Sequence, residues 1–398
     1  MKKKQEENPV EKYIDVLDGL RAISIIFVVW LHFWQQTWLT PYINFNSTWT
    51  RYFGITESHL HAYVKYGATF VDLIILLSAV CNLWPYARAI VWKESWPDTK
   101  AFFKRRAIRI LPSYYLCLLV LFVIALVGNK YATSAAMWKD LLTRLTFTCM
   151  WKGDWYLNNT NLNGVLWTVQ VEVWLYLLIP LFAKLFRKWP AVTSGVFWLT
   201  GIVSTNVVLY HCTDKVRYWE NYPLMYVGFL PCSMLICICY AYIKQTGVED
   251  RYTRLFSFMI IMGSWVAFNG LLKDYKELSS EYIRVTGRFD RMILFSLFIL
   301  AVMLAGPVIK RIFGNRFFKF VSTISYNLYI WHQVIAFWFK ELKIPYWEGE
   351  KSPNMLGDTV WSWKYQIIIL VITLVVSVGL TYGFELPVAK YLRKKWKV

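Results

Sequence analysis

Long apolar runs separated by short polar segments dominate this chain of 398 residues. Runs of about 17 to 24 apolar residues are long enough to cross the hydrocarbon core of a bilayer as α-helices. The pattern therefore predicts an all-α polytopic membrane protein with about ten transmembrane helices. The predicted spans are residues 20–39, 66–86, 110–128, 165–183, 191–209, 222–243, 255–272, 291–309, 320–339 and 365–388.

Composition and charge agree with this class and set the topology. Hydrophobic residues make up 57% of the chain, charged residues 17%, and the net charge is +19. In a soluble protein such a balance would suggest nucleic-acid binding, but cytoplasmic loops of membrane proteins are enriched in Lys and Arg. Apart from six charged residues within or beside spans, the net charge is +18 on the side of both termini and +3 opposite. We expect a multi-pass protein of the cytoplasmic membrane with both termini inside and no nucleic-acid partner.

The segments between spans complete a single predicted transmembrane domain over residues 1–398. Ser95 followed by Asp98 is typical of a capping box, so a helix is expected to begin there. Trp138, Leu142 and Leu145 fall on one helical face, which predicts an external helix lying in the membrane interface. The segments are a cytoplasmic tail 1–12, a basic cytoplasmic segment 95–109, an external loop with the interfacial helix 129–164 and a basic C-terminal tail 389–398.

The first apolar segment carries charged and titratable side chains that are costly in lipid. Arg21 and His32 are eleven residues apart, so they share one helical face and lie about 16 Å apart along the axis. Asp18 lies one turn before Arg21 on the same stripe. We expect this face to point into the protein, because neither group would be stable against lipid.

Depth within the predicted spans sorts the intramembrane polar residues into two layers. One layer is predicted about 10 Å below the external surface and the other near the cytoplasmic end. Ion pairs that hold helices together would explain either layer. A functional role is favoured for His32 and Glu172, since imidazole changes charge near neutral pH and a glutamate is expensive in lipid. The upper layer holds His32, Asp72, Glu172 and His332, and the lower layer holds Asp18, Arg21 and Glu385.

Five sets of motifs in the same order resemble the membrane acyltransferase family 3 proteins. Their hallmark is an arginine and a histidine separated by ten residues on the first helix. Ala22 stands where that family often has Gly, and Ser78, Ala79 and Val80 stand where it has Ser-Gly-Phe, so the substrate shape is expected to differ. The matching segments are LDGLRAISIIFVVWLH, FVDLIILLSAVCN, FFKRRAIRILPSYY, NGVLWTVQVEVWLYLLIPL, and ISYNLYIWH with YGFELP.

This resemblance implies transfer of an acyl group, most often acetyl, from acyl-CoA to an oxygen of an acceptor. The implied acceptors are cell-envelope polysaccharides, peptidoglycan, lipid-linked sugars and exported small molecules. Arg106 and Arg109 match the family's paired arginines, and together with Arg21 they are expected to hold the nucleotide end of coenzyme A, because guanidinium forks fit phosphate. We expect no metal, and we leave open both the oligomeric state and a separate extracytoplasmic transferase that would receive the acyl group.

Within this reaction, His32 is the predicted general base or transient acyl carrier. Glu172 is the candidate that orients its imidazole, and Asp72 is the competing candidate. The oxyanion would need a donor, for which the candidates are Trp167, Tyr326 or a backbone N–H at the start of the fourth span. His332 and Glu385 are expected to support this machinery.

A transporter or flippase for a glycan or small metabolite is the alternative prediction. In that case the two polar layers would line a translocation path. Broken helices and paired internal repeats would favour a transporter, and neither is clear in the sequence. Consumption of acyl-CoA by the purified protein would separate the two classes.

Overall fold

A computed structural model describes residues 14–39, 48–52, 60–128, 130–131, 133–151, 162–212, 216–247 and 251–398. Within these ranges the chain forms helices and no strand. Eight of the described helices are long and apolar enough to cross a bilayer, which confirms the predicted all-α polytopic class. The predicted tail 1–12 and part of the predicted loop 129–164 lie outside the described residues.

The α-helices are numbered here in chain order. A 3-10 turn precedes each of α4, α7 and α10, and a π-turn at Thr381–Glu385 joins α16 to α17. The helices are α1 Val16–Thr37, α2 Thr48–Tyr52, α3 Leu60–Lys65, α4 Phe70–Val91, α5 Thr99–Val127, α6 Ser134–Leu145, α7 Trp167–Lys188, α8 Pro190–His211, α9 Val216–Trp219, α10 Phe229–Thr246, α11 Arg251–Asp274, α12 Ser280–Val285, α13 Gly287–Leu304, α14 Pro307–Phe313, α15 Arg316–Glu341, α16 Thr359–Leu380 and α17 Leu386–Trp396.

Two predicted spans differ from the others. The span predicted at 291–309 is broken, because Tyr282–Leu304 and Pro307–Phe313 meet at 113°. The second piece begins with proline, which lacks the N–H that would continue the preceding helix. Helix α15 is 26 residues long, but its polar positions leave it outside the set of eight apolar helices. The count of ten spans therefore stays a prediction.

Helix α1 occupies the centre of the described bundle. It packs against α4 on one side and α15 on the other, while α10 and α7 cover α4 and α16 covers α15. Gly19 allows α1 to lie directly against α14, since a Cβ there would collide with the backbone of Phe313. Helices α8 and α11 lie at the periphery of the bundle. In each of them 28% of the residues in the apolar stretch are buried, compared with 67% in α1. Helices α1, α4 and α15 thus form the inner layer around the cavities described below.

Helix α6 falls within the predicted interfacial segment. Thr133 caps its start by accepting the Ala136 N–H at 3.1 Å. Trp138 and Leu142 are exposed, as expected for an apolar face turned to the membrane interface. The opposite face holds a buried ion pair instead of a solvated surface: Arg144 Nε donates to Asp140 Oδ1 at 2.7 Å. This pair lies within the helix, and the bonds to the rest of the protein run from the Tyr114 hydroxyl to the Arg144 backbone oxygen at 2.9 Å and from Arg144 Nη1 to the Asn163 backbone oxygen at 3.4 Å. The helix is therefore attached through Arg144 and presents its apolar side outward.

Replacing Asp140 with alanine is expected to destabilise the protein strongly. The variant leaves the Arg144 guanidinium buried without its carboxylate, and breaking a buried pair in this way costs about 3–5 kcal/mol. The midpoint of thermal denaturation in detergent should therefore fall well below that of wild type. Ser134→Ala, an exposed change in the first turn of α6, should leave the midpoint unchanged. Equal midpoints for Asp140→Ala and wild type would contradict a stabilising role for the pair.

The basic segment and the C-terminal tail meet on one side of the bundle. Helix α5 begins at Thr99, where Asp98 Oδ1 accepts the Ala101 N–H at 2.6 Å. The prediction of a start at Ser95 was therefore wrong, because the carboxylate itself is the N-cap. Most of the predicted tail 389–398 is the helix α17, which packs on α5.

Candidate active site

Three cavities with polar lining residues follow α1 from its N-terminal end toward its C-terminal end. The lower cavity, about 970 Å³, is lined by Asp18 and Glu385. The central cavity, about 770 Å³, shares Arg21 with the lower cavity. The upper cavity, about 1290 Å³, contains His32 and shares Val71 and Tyr329 with the central cavity. These two side chains therefore lie where the central and upper cavities come together.

The lower cavity brings together the three residues of the predicted lower layer. Asp18 Oδ1 accepts from Ser322 Oγ at 2.8 Å and lies 3.9 Å from Arg21 Nη1. Asn327 Nδ2 donates to Glu385 Oε2 at 2.6 Å. Glu385 is the last residue of the π-turn, whose wider turn changes the direction of its side chain relative to α16.

The central cavity is rich in positive charge. It is lined by Arg21, Arg106 and Arg109, with Glu172 as its one acidic residue among the lining side chains. Arg106 lies over the ring of Tyr176, with 6.0 Å between its guanidinium carbon and the ring centre. Arg106 Nε has no hydrogen-bond partner in the described part of the chain. Three guanidinium groups around one acid leave a site that favours an anionic ligand.

The residues where this chain departs from the family pattern lie mostly outside the cavities. Ser78 lines the central cavity, and its Oγ lies 2.6 Å from the hydroxyl of Tyr176. Ala22, Ala79 and Val80 are buried in the core. An altered substrate shape at these positions stays a prediction, and Ser78 is the position where it can act directly.

Glu172 does not lie beside His32, contrary to the predicted single upper layer. Its carboxylate lies next to Ser78 in the central cavity, and Arg21 and Arg109 are among the charges acting on it. The reason is the start of α7. Val165 and Leu166, in the 3-10 turn before α7, are already buried, so counting residues from the helix start places Glu172 too close to the surface.

His32 lines the upper cavity and is held by two glutamine side chains. Its Nδ1 lies 3.0 Å from Gln35 Oε1 and 3.1 Å from Gln333 Nε2. In the described chain these hydrogen bonds all engage Nδ1, which leaves Nε2 as the ring nitrogen for chemistry. Neither glutamine was predicted. Gln35 was detectable from its spacing, since residues three apart on a helix are neighbours.

His332 supports this arrangement from behind. Its ring centre lies 5.0 Å from that of His32, and its side chain is fully buried. His332 Nδ1 donates to the backbone oxygen of Tyr329 at 2.7 Å. The main chain therefore fixes this ring, and His332 contributes to packing around His32.

Asp72, the competing candidate to orient His32, lines the same cavity as His32 but is not hydrogen-bonded to it. Its Oδ2 accepts from Arg291 Nε at 2.7 Å, and Arg288 Nε lies 3.5 Å from Oδ1. Arg291 also donates to the hydroxyl of Tyr275 at 2.9 Å. A buried carboxylate needs a cation, and two arginines of α13 are closer to it than an imidazole. The available signal was that Arg291 is one of only two arginines within the predicted spans, which made it a candidate partner for Asp72.

The two predicted oxyanion donors separate in the structure. Trp167 lines the upper cavity with His32. Tyr326 lines the central and lower cavities, and its hydroxyl donates to the backbone oxygen of Ile110 at 3.1 Å. Tyr326 therefore lies in the wrong cavity for an oxyanion formed at His32, whereas Trp167 remains a candidate.

Comparison with known proteins agrees with this arrangement. Residues 14–382 match a family described as Acyltransferase domain. The regulator of hypoxia-inducible factor 1 of Caenorhabditis elegans is 20% identical over 85% of this chain and 74% of its own length. The peptidoglycan O-acetyltransferase OatA of Listeria monocytogenes is 20% identical over 81% of this chain and 49% of its own. A putative O-acetyltransferase of Staphylococcus aureus is 22% identical over 82% and 51%.

The chain thus spans about half the length of these two O-acetyltransferases. No solved structure matches it significantly. The family match covers nearly the whole described bundle, including every residue that lines the central and upper cavities, whereas Glu385 and α17 of the lower cavity follow its end. This multi-pass membrane protein therefore belongs to the membrane acyltransferase family 3.

Proposed function

We propose that this protein transfers an acyl group, most simply acetyl, from cytoplasmic acyl-CoA to a hydroxyl of an acceptor on the other side of the membrane. The row of cavities along α1 supports this proposal, because Val71 and Tyr329 line both the cavity with the arginine cluster and the cavity with His32. Both termini would then be cytoplasmic, with the lower cavity facing the cytoplasm and the upper cavity facing outward.

The donor fits the lower and central cavities by charge and by length. The phosphates of coenzyme A would be held by Arg109 and Arg106, with Arg21 beside them. The narrow pantetheine arm would then extend along α1 toward Val71. Arg21 and His32 are about 16 Å apart along the helix axis, which is comparable with the length of that arm.

The chemistry would take place at His32 Nε2. In direct transfer, Nε2 takes the proton of the acceptor hydroxyl while its oxygen attacks the thioester carbonyl. The carbon–sulfur bond then breaks, and the proton passes from Nε2 to the coenzyme A thiolate. In the two-step route, Nε2 itself attacks the thioester carbonyl, and the carbon–sulfur bond breaks to release the coenzyme A thiolate. The acceptor oxygen then attacks the acyl-histidine, the bond from the acyl carbon to Nε2 breaks, and the proton of the acceptor hydroxyl neutralises the thiolate. Trp167 is the side chain in the upper cavity that we assign to the developing oxyanion.

The acceptor would enter the upper cavity from outside. The names of the two O-acetyltransferase relatives support a hydroxyl acceptor, and one of them names peptidoglycan. A cell-envelope glycan or a lipid-linked sugar is therefore the acceptor class we assign. A separate extracytoplasmic transferase that carries the acyl group onward is compatible with the same site.

Incubation of the purified protein with acetyl-CoA labelled in the acetyl group tests this function. Label should appear on an envelope glycan or lipid-linked sugar, with release of free coenzyme A. Label retained on the protein without acceptor, and lost in His32→Ala, would select the two-step route. No consumption of acetyl-CoA with any acceptor would reject the enzyme and favour the transporter.

The variant Arg106→Ala/Arg109→Ala is expected to bind acetyl-CoA about 10- to 100-fold more weakly at low salt, since it removes hydrogen bonds to charged phosphates. The difference from wild type should shrink as ionic strength rises. Arg105→Ala is the matched control, because Arg105 lies on the same helix but is exposed and lines none of the three cavities. Isothermal titration in detergent measures the affinities, and an unchanged affinity would reassign both arginines to lipid headgroups.

A further inference from the structure

The Nδ1 atom of His32 lies between two amide groups of opposite hydrogen-bonding character. Gln35 presents its carbonyl oxygen at 3.0 Å, which accepts a hydrogen bond. Gln333 presents its NH₂ group at 3.1 Å, which donates one. A neutral imidazole carries one ring proton, so Nδ1 either donates to Gln35 or accepts from Gln333. The two glutamines therefore favour different tautomers of the same ring.

Each tautomer has a different chemical competence at Nε2. When Nδ1 carries the proton and donates to Gln35, Nε2 has a free lone pair and can act as base or nucleophile. When Nδ1 accepts from Gln333, the proton is on Nε2, which can then neither remove a proton nor attack a thioester. The choice between the amides thus decides whether the proposed reaction can begin.

Among the described residues, no other side chain forms a hydrogen bond with the His32 ring that would decide which nitrogen carries the proton. His332 is the nearest imidazole, but its Nδ1 is committed to the backbone oxygens of Tyr329 and Leu328. The two acids that line the upper cavity are paired with arginines, Asp72 with Arg291 and Glu220 with Arg284. An amide oxygen therefore stands where many hydrolases and transferases use a carboxylate to orient the histidine.

We propose that Gln35 is the positioning residue for His32, selecting the tautomer with the proton on Nδ1, and that Gln333 stabilises the opposite, resting tautomer. This inference rests on the proposed function and adds to it the group that orients the base. After Nε2 takes the acceptor's proton, both ring nitrogens carry hydrogen. The Nδ1–H then donates to Gln35, while the NH₂ of Gln333 can no longer bind Nδ1.

The tautomer is directly measurable. The chain contains five histidines, so ¹⁵N labelling of histidine gives a spectrum in which the His32 signals are assigned by their loss in His32→Gln. Protonated and bare ring nitrogens differ strongly in ¹⁵N chemical shift. Wild type should show bare Nε2 to a substantial extent. Gln35→Leu should move the proton to Nε2, and Gln333→Leu should move it to Nδ1.

Kinetics provide the second test. Gln35→Leu should lower kcat for acetyl transfer by about 10²-fold, the low end of the range for general base catalysis, with little change in KM for acetyl-CoA. Gln35→Glu, which keeps an accepting oxygen, should recover most of the rate, whereas Gln35→Met of similar length should not. Gln333→Leu removes the amide that favours the resting tautomer, so it should raise kcat above that of wild type. Gln36→Leu, the adjacent glutamine outside the contacts of His32, is the matched control.

The outcomes separate this inference from the proposed function. An unchanged tautomer in both leucine variants would overturn the inference even if acetyl transfer is intact. Equal losses in Gln35→Met and Gln35→Glu would also overturn it, because packing alone would then explain the effect. A wild-type protein that turns over no acetyl-CoA would reject the proposed function, while the tautomer spectrum would still report whether the glutamines control the ring.

Discussion

Replacing His32 with alanine is expected to lower acetyl transfer by about 10³-fold, within the range that a positioned general base contributes. Binding of acetyl-CoA should stay close to wild type, because the arginines proposed to hold its phosphates line a different cavity. Product formation at saturating donor and the dissociation constant, measured on the same preparation, give the two quantities. His32→Gln keeps the side-chain volume and should lose the same activity.

The matched control for this change is His211→Ala. His211 is exposed at the end of α8, away from the three cavities. Its replacement should leave both transfer and donor binding unchanged. A His32→Ala protein that keeps substantial transfer would move the reacting group to another side chain of the upper cavity.

Enlarging Val71 is expected to block transfer while sparing donor binding. Val71 is buried and lines both the central and upper cavities. Under the proposed function, added volume at this position would obstruct the route of the acyl group from the arginine cluster to His32. Transfer should fall in the order Leu, Phe, Trp at this position, with the tryptophan variant losing nearly all activity. Val71→Ala should retain activity, since it widens the same passage.

Overpacking costs about 1–3 kcal/mol, so folding is checked by thermal denaturation in detergent for each Val71 variant. Val192→Trp controls for an added tryptophan, because Val192 is exposed on the peripheral helix α8. Undiminished transfer in a folded Val71→Trp protein would show that the acyl group reaches its acceptor by another route. Parallel loss of donor binding would place the nucleotide itself at this wall.

The helices were predictable because each needs a long apolar run, and that signal is strong. The break after Leu304 was less visible, although Gly306 followed by Pro307 is typical of a helix end. The structure likewise brings Arg21 together with Asp18 and Glu385, as the pattern of polar residues suggested. Their functional roles stay predictions.

Depth and pairing were harder to predict than helix position. Glu172 lies deeper than predicted because α7 begins inside the protein. The sequence does not show how far below the membrane surface a helix begins. Asp72 is paired with Arg291, which is 219 residues away along the chain. Gln333 reaches His32 across two helices, 301 residues apart. Contacts of this kind depend on helix rotation, which hydrophobic periodicity defines too coarsely.

The position of Val71 and Tyr329, which line both the central and the upper cavity, has a consequence for the cell. A conduit that admitted water from both faces of a membrane would also conduct ions and dissipate the electrochemical gradient. A short apolar constriction resists wetting and therefore stops permeation. Under the proposed function, coenzyme A and a glycan acceptor would occupy the cavities on opposite sides of these two side chains, while protons and sodium ions would stay on their own sides of the membrane.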